Sequence, residues 1–395
     1  MKITIFSQHF WPENFRINDV AQKLKNLRVD VNVFTGKPNY PDGKIKLKYR
    51  SLIPKKDKYL GINILRFPIL ARGNATFFKL SLNYFSYILS LSFFSFFYKK
   101  KLGDIFFIYA TTPIFQAIPP IILSKIFKFK VVLWIQDLWP ENLSDTNYIK
   151  NSFLLKIINF FVIKIYNSSD LILCQSKMMT KFVKKKTYVK TETFYNPSNY
   201  SFSYSKKVKS PFYDIYYAGN LGKGQNLNKI IDVFKSKEII REKVRFFIYG
   251  SGKNFNSVKA SINKNGLKNV YLKKPVSPKI LKEKIKSADC FLLKLNNGIG
   301  LSKTIPAKFQ TYLSFGKPII SINKGVVSQI ILKHKIGLHC KSEKKVDVIN
   351  TFLKAKKLTQ RRCHNIMINS KNLFLNKFEI NNSCKKLKNY LEELK

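Results

Sequence analysis

The chain has 395 residues, 45% of them hydrophobic and 14% aromatic, a composition that excludes an intrinsically disordered or fibrous protein. That length exceeds what one ordinary core serves and suits two domains. The formal net charge is +50, yet only nine of the 72 basic residues are arginine, so part of the excess reflects a lysine-rich coding bias and the rest suits an anionic partner.

From the first residue, apolar strand-like runs alternate with helical stretches. Strands are predicted at residues 2–6, 29–34, 63–67, 104–110, 130–135 and 171–174, with helices between them, for example at 18–27 and 116–127. Continuous apolar runs in such an alternation imply a parallel sheet covered on both faces. Residues 80–98 carry no charge and are followed by Lys99, Lys100 and Lys101. They are long enough to approach a bilayer's width, but Lys79, Asn83, Ser86 and Ser90 form one helical stripe. A buried helix and a helix lying in the membrane interface are both consistent with this pattern. A transmembrane span is disfavoured, because the strands on either side read as members of one sheet.

Residues 1–197 therefore form a first domain, and polar residues 198–212 read as a linker. A second alternation follows: strands at 215–218, 244–249, 270–272, 290–293 and 318–322, with helices at 229–234, 257–263, 278–287 and 306–315. It defines a second domain at 213–375, and a basic helix at 376–395 is expected to pack back on the first domain. The expected fold is α/β, two doubly wound Rossmann-like domains facing across a cleft. Five scattered cysteines and four dispersed histidines show no metal or redox spacing, so a reducing cytoplasm and no metal site are expected. Residues 1–6 already read as a strand, so no leader peptide is expected.

The tetrapeptide Trp-Pro-Glu-Asn occurs twice, at Trp11–Asn14 and Trp139–Asn142, each time after a strand. Ligands of open α/β sheets bind beyond the carboxyl ends of strands, so both copies mark a candidate site. Asp137 ends the 130–135 strand and is the candidate reactive carboxylate; capping of the following helix is the competing role. Glu13 and Glu141 follow proline, where a first-turn Glu can stabilise a helix with no chemistry. The loop 36–43, containing Asn39 and Tyr40, has the Pro and Gly content of a defined turn.

In the second half, Gly219, Asn220, Lys223 and Gly224 follow one strand, and Gly250, Gly252 and Lys253 follow the next. Glycine turns before helices let backbone amides approach phosphate, and lysine adds a point charge. Lys308 stands in the first turn of a helix opened by Pro306 and stopped at Gly316, an end where cations are electrostatically misplaced. Reaching a bound diphosphate would account for it.

Together these residues resemble glycosyltransferase family 4, most of all its N-acetyl-L-fucosamine transferase-like branch in bacterial lipopolysaccharide and capsule synthesis. Residues 10–19, 36–43 and 134–141 carry the distinctive part. Ser176, residues 195–197, 219–224, 250–252, 287–289 and 306–318 carry the more general part, and the likeness covers about residues 1–340. It implies a GT-B fold and metal-free transfer of a sugar from a nucleoside diphosphate, UDP being the expected carrier, with retained anomeric configuration.

By the same resemblance Asp137 and Glu13 are the expected catalytic residues. Gly219, Asn220, Lys223, Gly250, Gly252, Lys253, Lys308 and Thr311 would bind the donor. Trp11, Asn14, Arg16, Asn39, Tyr40 and Trp139 would bind the acceptor. Many members carry two glutamates where this chain has Lys303 and Thr311, and an arginine where it has Asn220; threonine offers the ribose only a neutral hydrogen bond. The implied acceptor is a polyprenyl-diphosphate-linked glycan, with the enzyme peripheral to the inner face of the plasma membrane. A nucleotide-sugar epimerase and a catalytically inactive scaffold remain alternatives. Nucleic acid is not an expected partner, since lysine is spread through every segment without a reading motif.

Overall fold

The computed structural model describes residues 1–198, 200–205, 210–222, 224–322 and 324–395. The chain divides into two compact units: Met1–Ser144 with Ile149–Asn199 and Ile380–Lys395, and Asp145–Tyr148 with Tyr200–Glu379. Lys223 and part of the expected linker, Asn199 and residues 206–209, lie outside the described residues.

The first unit holds β1 (Lys2–Ser7), β2 (Asp30–Gly36), β3 (Lys55–Tyr59), β4 (Ile62–Phe67), β5 (Ile105–Ala110), β6 (Lys130–Ile135), β7 (Leu171–Cys174) and β8 (Thr191–Thr193). They form one sheet in the order β3-β4-β2-β1-β5-β6-β7-β8. Only the β3–β4 hairpin is antiparallel; the strands from β4 to β8 run parallel. Along β1, Ile3 and Ile5 enter one core while Phe6 enters the other. Along β6, Val132 and Trp134 oppose Val131, Leu133 and Ile135 in the same way. Both faces are buried, which is why these strands read as unbroken apolar runs instead of alternating ones.

One face is covered by helices Phe77–Ser95, Ile118–Phe127, Ser152–Asn167 and Lys177–Val183. The other is covered by Arg16–Asn26 and by the C-terminal helix Ile380–Glu392. Cys384, Leu387 and Leu391 of that last helix join Ile17, Val20 and Leu24 in a single cluster.

The second unit holds β9 (Tyr213–Ala218), β10 (Val244–Tyr249), β11 (Val270–Lys273), β12 (Cys290–Lys294), β13 (Ile319–Ile322) and β14 (Gly337–His339). Their order, β11-β10-β9-β12-β13-β14, is that of a nucleotide-binding Rossmann sheet with its switch point between β9 and β12. All of its pairings are parallel. The strands β3, β8 and β14 were not legible as strands: β3 is Lys-Lys-Asp-Lys-Tyr on an edge, and the other two have three residues each.

Candidate active site

In the first unit the switch point lies between β1 and β5, and the residues that leave those strands gather there. Asp137, just past β6, is the centre of one group. Its Oδ2 accepts a hydrogen bond from Thr112 Oγ1 at 2.8 Å and its Oδ1 one from Asn142 Nδ2 at 3.0 Å. Burial pushes its carboxyl above the usual range, opposed by those two hydrogen bonds. Arg16 and Asp137 both lie close enough to the buried Tyr109 phenol to influence its ionisation, in opposite senses. A desolvated carboxylate flanked by a hydroxyl and an amide is equipped to orient a hydroxylated ligand.

Glu13 is placed differently from the reactive role expected of it. It is buried, and its Oε1 accepts the backbone N–H groups of Asn39 (2.7 Å) and Tyr40 (2.6 Å). Its Oε2 lies 2.7 Å from His9 Nδ1. All of its reach is spent on holding the 36–43 loop and one imidazole, so it is an organising residue. Asn39 is also committed: its Oδ1 accepts from Arg72 N and Asn83 Nδ2, and its own amide donates to Lys37 O. It anchors the loop instead of presenting an amide to a ligand.

Tyr40 is exposed at the loop's tip, with the Arg72 guanidinium 4.8 Å above its ring. Asn14 is exposed, and Arg16 is half-buried. Trp11 stacks on Tyr59 at 4.8 Å and its carbonyl accepts Arg66 Nη2 at 2.6 Å, which makes it a wedge beneath the β3–β4 hairpin. Trp139 is core: it is buried and meets Phe115 edge-on at 5.7 Å. Asn39, Trp11 and Trp139, all expected on the acceptor side, thus each make structural contacts within the first unit.

The two Trp-Pro-Glu-Asn copies both contain a cis Trp–Pro bond, yet they divide their work in opposite ways. In the first copy Glu13 organises the site and Asn14 is exposed. In the second, Asn142 serves Asp137 while Glu141 pairs with Lys186 at 2.5 Å. His9, Thr112 and Asn142 were not among the expected site residues. Their signal was position after a strand, two residues on for His9 and Thr112 and seven for Asn142.

In the second unit the β9 and β10 turns are bound to each other. Gly219 N donates to Tyr249 O at 2.9 Å, and Leu221 N to Ser251 O at 2.7 Å. A Cβ on Gly250 would lie 2.0 Å from Gly219 O, so glycine there serves the join between the turns. Gly219, at φ +142°, has a different neighbour: its missing Cβ would lie 3.1 Å from Lys308 Cε and 3.2 Å from Nζ. Lys308 thus lies directly over the first glycine.

The Lys308 ammonium donates to Tyr217 Oη at 2.5 Å and sits 3.9 Å from the centre of that ring. Burial pushes its pKa down to about 7. Tyr217 itself donates to Asn220 O at 2.7 Å, tying the lysine's platform to the turn. Asn220, Gly252 and Lys253 are exposed, and Thr311 is half-buried. Tyr217 is the functional neighbour the sequence concealed, being one of two adjacent tyrosines in a strand. A desolvated lysine over a glycine turn at the switch point of a Rossmann sheet is suited to a polyanion.

Residues 202–372 match the family described as Glycosyl transferases group 1. No curated protein sequence is significantly similar to the chain. Among solved structures, sucrose-phosphate synthase from Thermosynechococcus elongatus superposes with a TM-score of 0.74 at 11% identity, covering 100% of this chain and 98% of that one. Trehalose-6-phosphate synthase OtsA gives 0.72 at 10% identity, covering 100% and 99%. Anabaena HepE in complex with UDP and glucose gives 0.69 at 13% identity, covering 99% of each chain. The chain has the GT-B fold, and its residues 202–372 match the Glycosyl transferases group 1 domain.

Proposed function

We propose that this protein transfers a sugar from a nucleoside diphosphate, UDP in the first instance, to a polyprenyl-diphosphate-linked glycan of a bacterial surface polysaccharide, without a metal ion in its chemistry and peripheral to the inner face of the plasma membrane. The observation that carries the reading is Lys308, a half-buried cation over the Gly219 turn whose pKa is lowered by desolvation. Such a group gains most from an anionic ligand that restores its charge. The match to a Glycosyl transferases group 1 domain supports it, as does the fold shared with a protein solved with UDP-glucose.

In the proposed reaction the acceptor hydroxyl oxygen bonds to the anomeric carbon as the bond from that carbon to the diphosphate oxygen breaks. The hydroxyl proton passes to the departing diphosphate, whose developing charge Lys308 stabilises. Asp137, held by Thr112 and Asn142, orients the hydroxylated ligand, and Glu13 with His9 keeps the 36–43 loop in place. Thr311, where the resemblance implies a carboxylate, supplies a neutral hydroxyl.

A thermal-shift screen of UDP-, GDP- and dTDP-sugars tests the donor, since a ligand at a hundred times its Kd stabilises the fold by about 2.7 kcal/mol. Incubation of the stabilising donor with a polyprenyl-diphosphate glycan should then yield a product one sugar heavier by mass spectrometry. A screen in which no nucleotide sugar raises the Tm would end this reading.

A further inference from the structure

The helix Phe77–Ser95 buries the wrong residues for a core helix. Asn83, Tyr87, Leu91 and Ser95 face the sheet, while Phe77, Phe85 and Phe93 are 63%, 59% and 63% exposed. The inward polar groups are used: Asn83 Nδ2 donates to Leu70 O and Asn39 Oδ1, and Gln8 Nε2 donates to Asn83 Oδ1. Ser86 accepts the Leu70 amide. The aromatic side is left to the outside. By length and composition the segment Phe77–Lys101 could cross a membrane, but here it is the crossover between β4 and β5 of one sheet and packs along that sheet.

Two neighbouring helices extend the apolar face. Phe96 stacks on Phe127 at 5.9 Å, joining the end of the first helix to the end of Ile118–Phe127, on which Ile122 and Ile126 are exposed. The helix Ser152–Asn167 packs against the turn Ile114–Ala117 and leaves Phe153 and Phe160 outward. Its lysines Lys156 and Lys164 are exposed, as are Lys99, Lys100 and Lys125. None of the three helices contains an Asp or Glu.

We propose that this three-helix face docks on an anionic phospholipid bilayer, with the phenylalanines inserted at the level of the headgroups and the lysines in contact with lipid phosphates. Apolar residues ringed by lysine without any carboxylate match an anionic interface. They suit a second copy of the chain poorly, since a two-fold contact would bring like charges together. The inference extends the lipid-linked acceptor reading and rests on it for its purpose alone; the docking itself is measurable without any nucleotide or sugar.

The full chain should sediment with vesicles of phosphatidylglycerol and phosphatidylcholine, and about tenfold less with phosphatidylcholine alone or at 1 M salt, where the Debye length is ~3 Å. Phe77→Ser/Phe85→Ser/Phe93→Ser should lower vesicle partition at least tenfold while leaving the melting curve and UDP binding unchanged. Lys99→Ala/Lys100→Ala should weaken it on phosphatidylglycerol only. Equal partition of the wild type and the triple variant would overturn the proposal. So would a wild-type dimer in light scattering that the triple variant abolishes without any vesicle binding. Loss of UDP binding with vesicle binding intact would instead count against the donor site alone.

Discussion

Binding of a diphosphate at Lys308 should draw a proton from solution. With a pKa of about 7 in the free protein, Lys308 is ~90% neutral at pH 8. A bound diphosphate beside the ammonium favours the charged form and returns the pKa toward its ordinary value near 10, so binding at pH 8 should take up ~0.9 proton. The sign follows from which form binds: the charged lysine is the competent one, and it disappears as pH rises through 7. Affinity should therefore fall about tenfold for each pH unit above 7, about 1.4 kcal/mol per unit. UDP's own terminal phosphate, with a second pKa near ~6, is already ionised at pH 8 and does not imitate the effect. Titration calorimetry of UDP in buffers of different ionisation enthalpy reads the proton count directly. Lys308→Met should abolish the uptake and weaken binding by ~1.5–3 kcal/mol, the usual worth of a charge-assisted hydrogen bond. Lys253→Ala, at an exposed position, should leave the proton count unchanged. Uptake near zero in the wild type, or equal uptake in Lys308→Met, would refute the assignment.

Three further outcomes test the rest of the site and its frame. Asp137→Asn should lower transfer activity at least about a hundredfold while leaving the Tm equal or higher. Because burial raises its folded pKa, the stability it contributes is fully present below the unfolded value near ~4 and is lost as pH rises through the folded value; ionised Asp137 thus costs stability at pH 7, and a large fall in Tm for the amide would mark it as a structural cap. Glu13→Gln keeps the shape but loses the negative charge that two backbone amides and His9 share, so chemical denaturation should show a loss of ~2–4 kcal/mol, whereas a catalytic role would spare stability. Leu387→Ala opens a cavity between the C-terminal helix and the helix Arg16–Asn26; the first unit should lose ~2–5 kcal/mol, read by hydrogen exchange, with the β9–β14 sheet unaffected.

The parallel sheets were legible because both faces of each are buried and the apolar runs are continuous, as in Val131–Ile135. The proposed donor side was legible in part. Gly219 and Lys308 are 89 residues apart in sequence, yet each carried its own signal, a glycine after a strand and a cation at the wrong end of a helix. What joins them is Tyr217, and nothing in a strand's alternation distinguishes a tyrosine that carries a lysine from one that fills a core. The polar residues of the first unit were harder to read for a related reason. Residue type marked Glu13 and Asn39 as polar groups at strand ends, which is correct, but not whether their hydrogen bonds run to ligand or to backbone. Glu13 lies within reach of two amides on a loop twenty-six residues away, a pairing that only the β1–β2 register creates.

The helix Phe77–Ser95 shows the same limit from the opposite direction. Its polar stripe was visible as a spacing, but helical periodicity fixes only which residues share a side, not which side meets the protein. For an ordinary helix the apolar side goes inward by default, and that default would bury Phe85 and Phe93 while exposing Asn83. The contacts reverse it. Asn83 is fixed between Gln8, Asn39 and Leu70, so the side that carries Asn83, Tyr87, Leu91 and Ser95 faces the sheet and Phe77, Phe85 and Phe93 are the surface. Turning the helix over to hide them would strand those buried amide groups without partners, at about 1–3 kcal/mol each. The polar network around the 36–43 loop and the outward aromatic face are consequently one feature: the residues that hold the loop are the residues that turn the phenylalanines out.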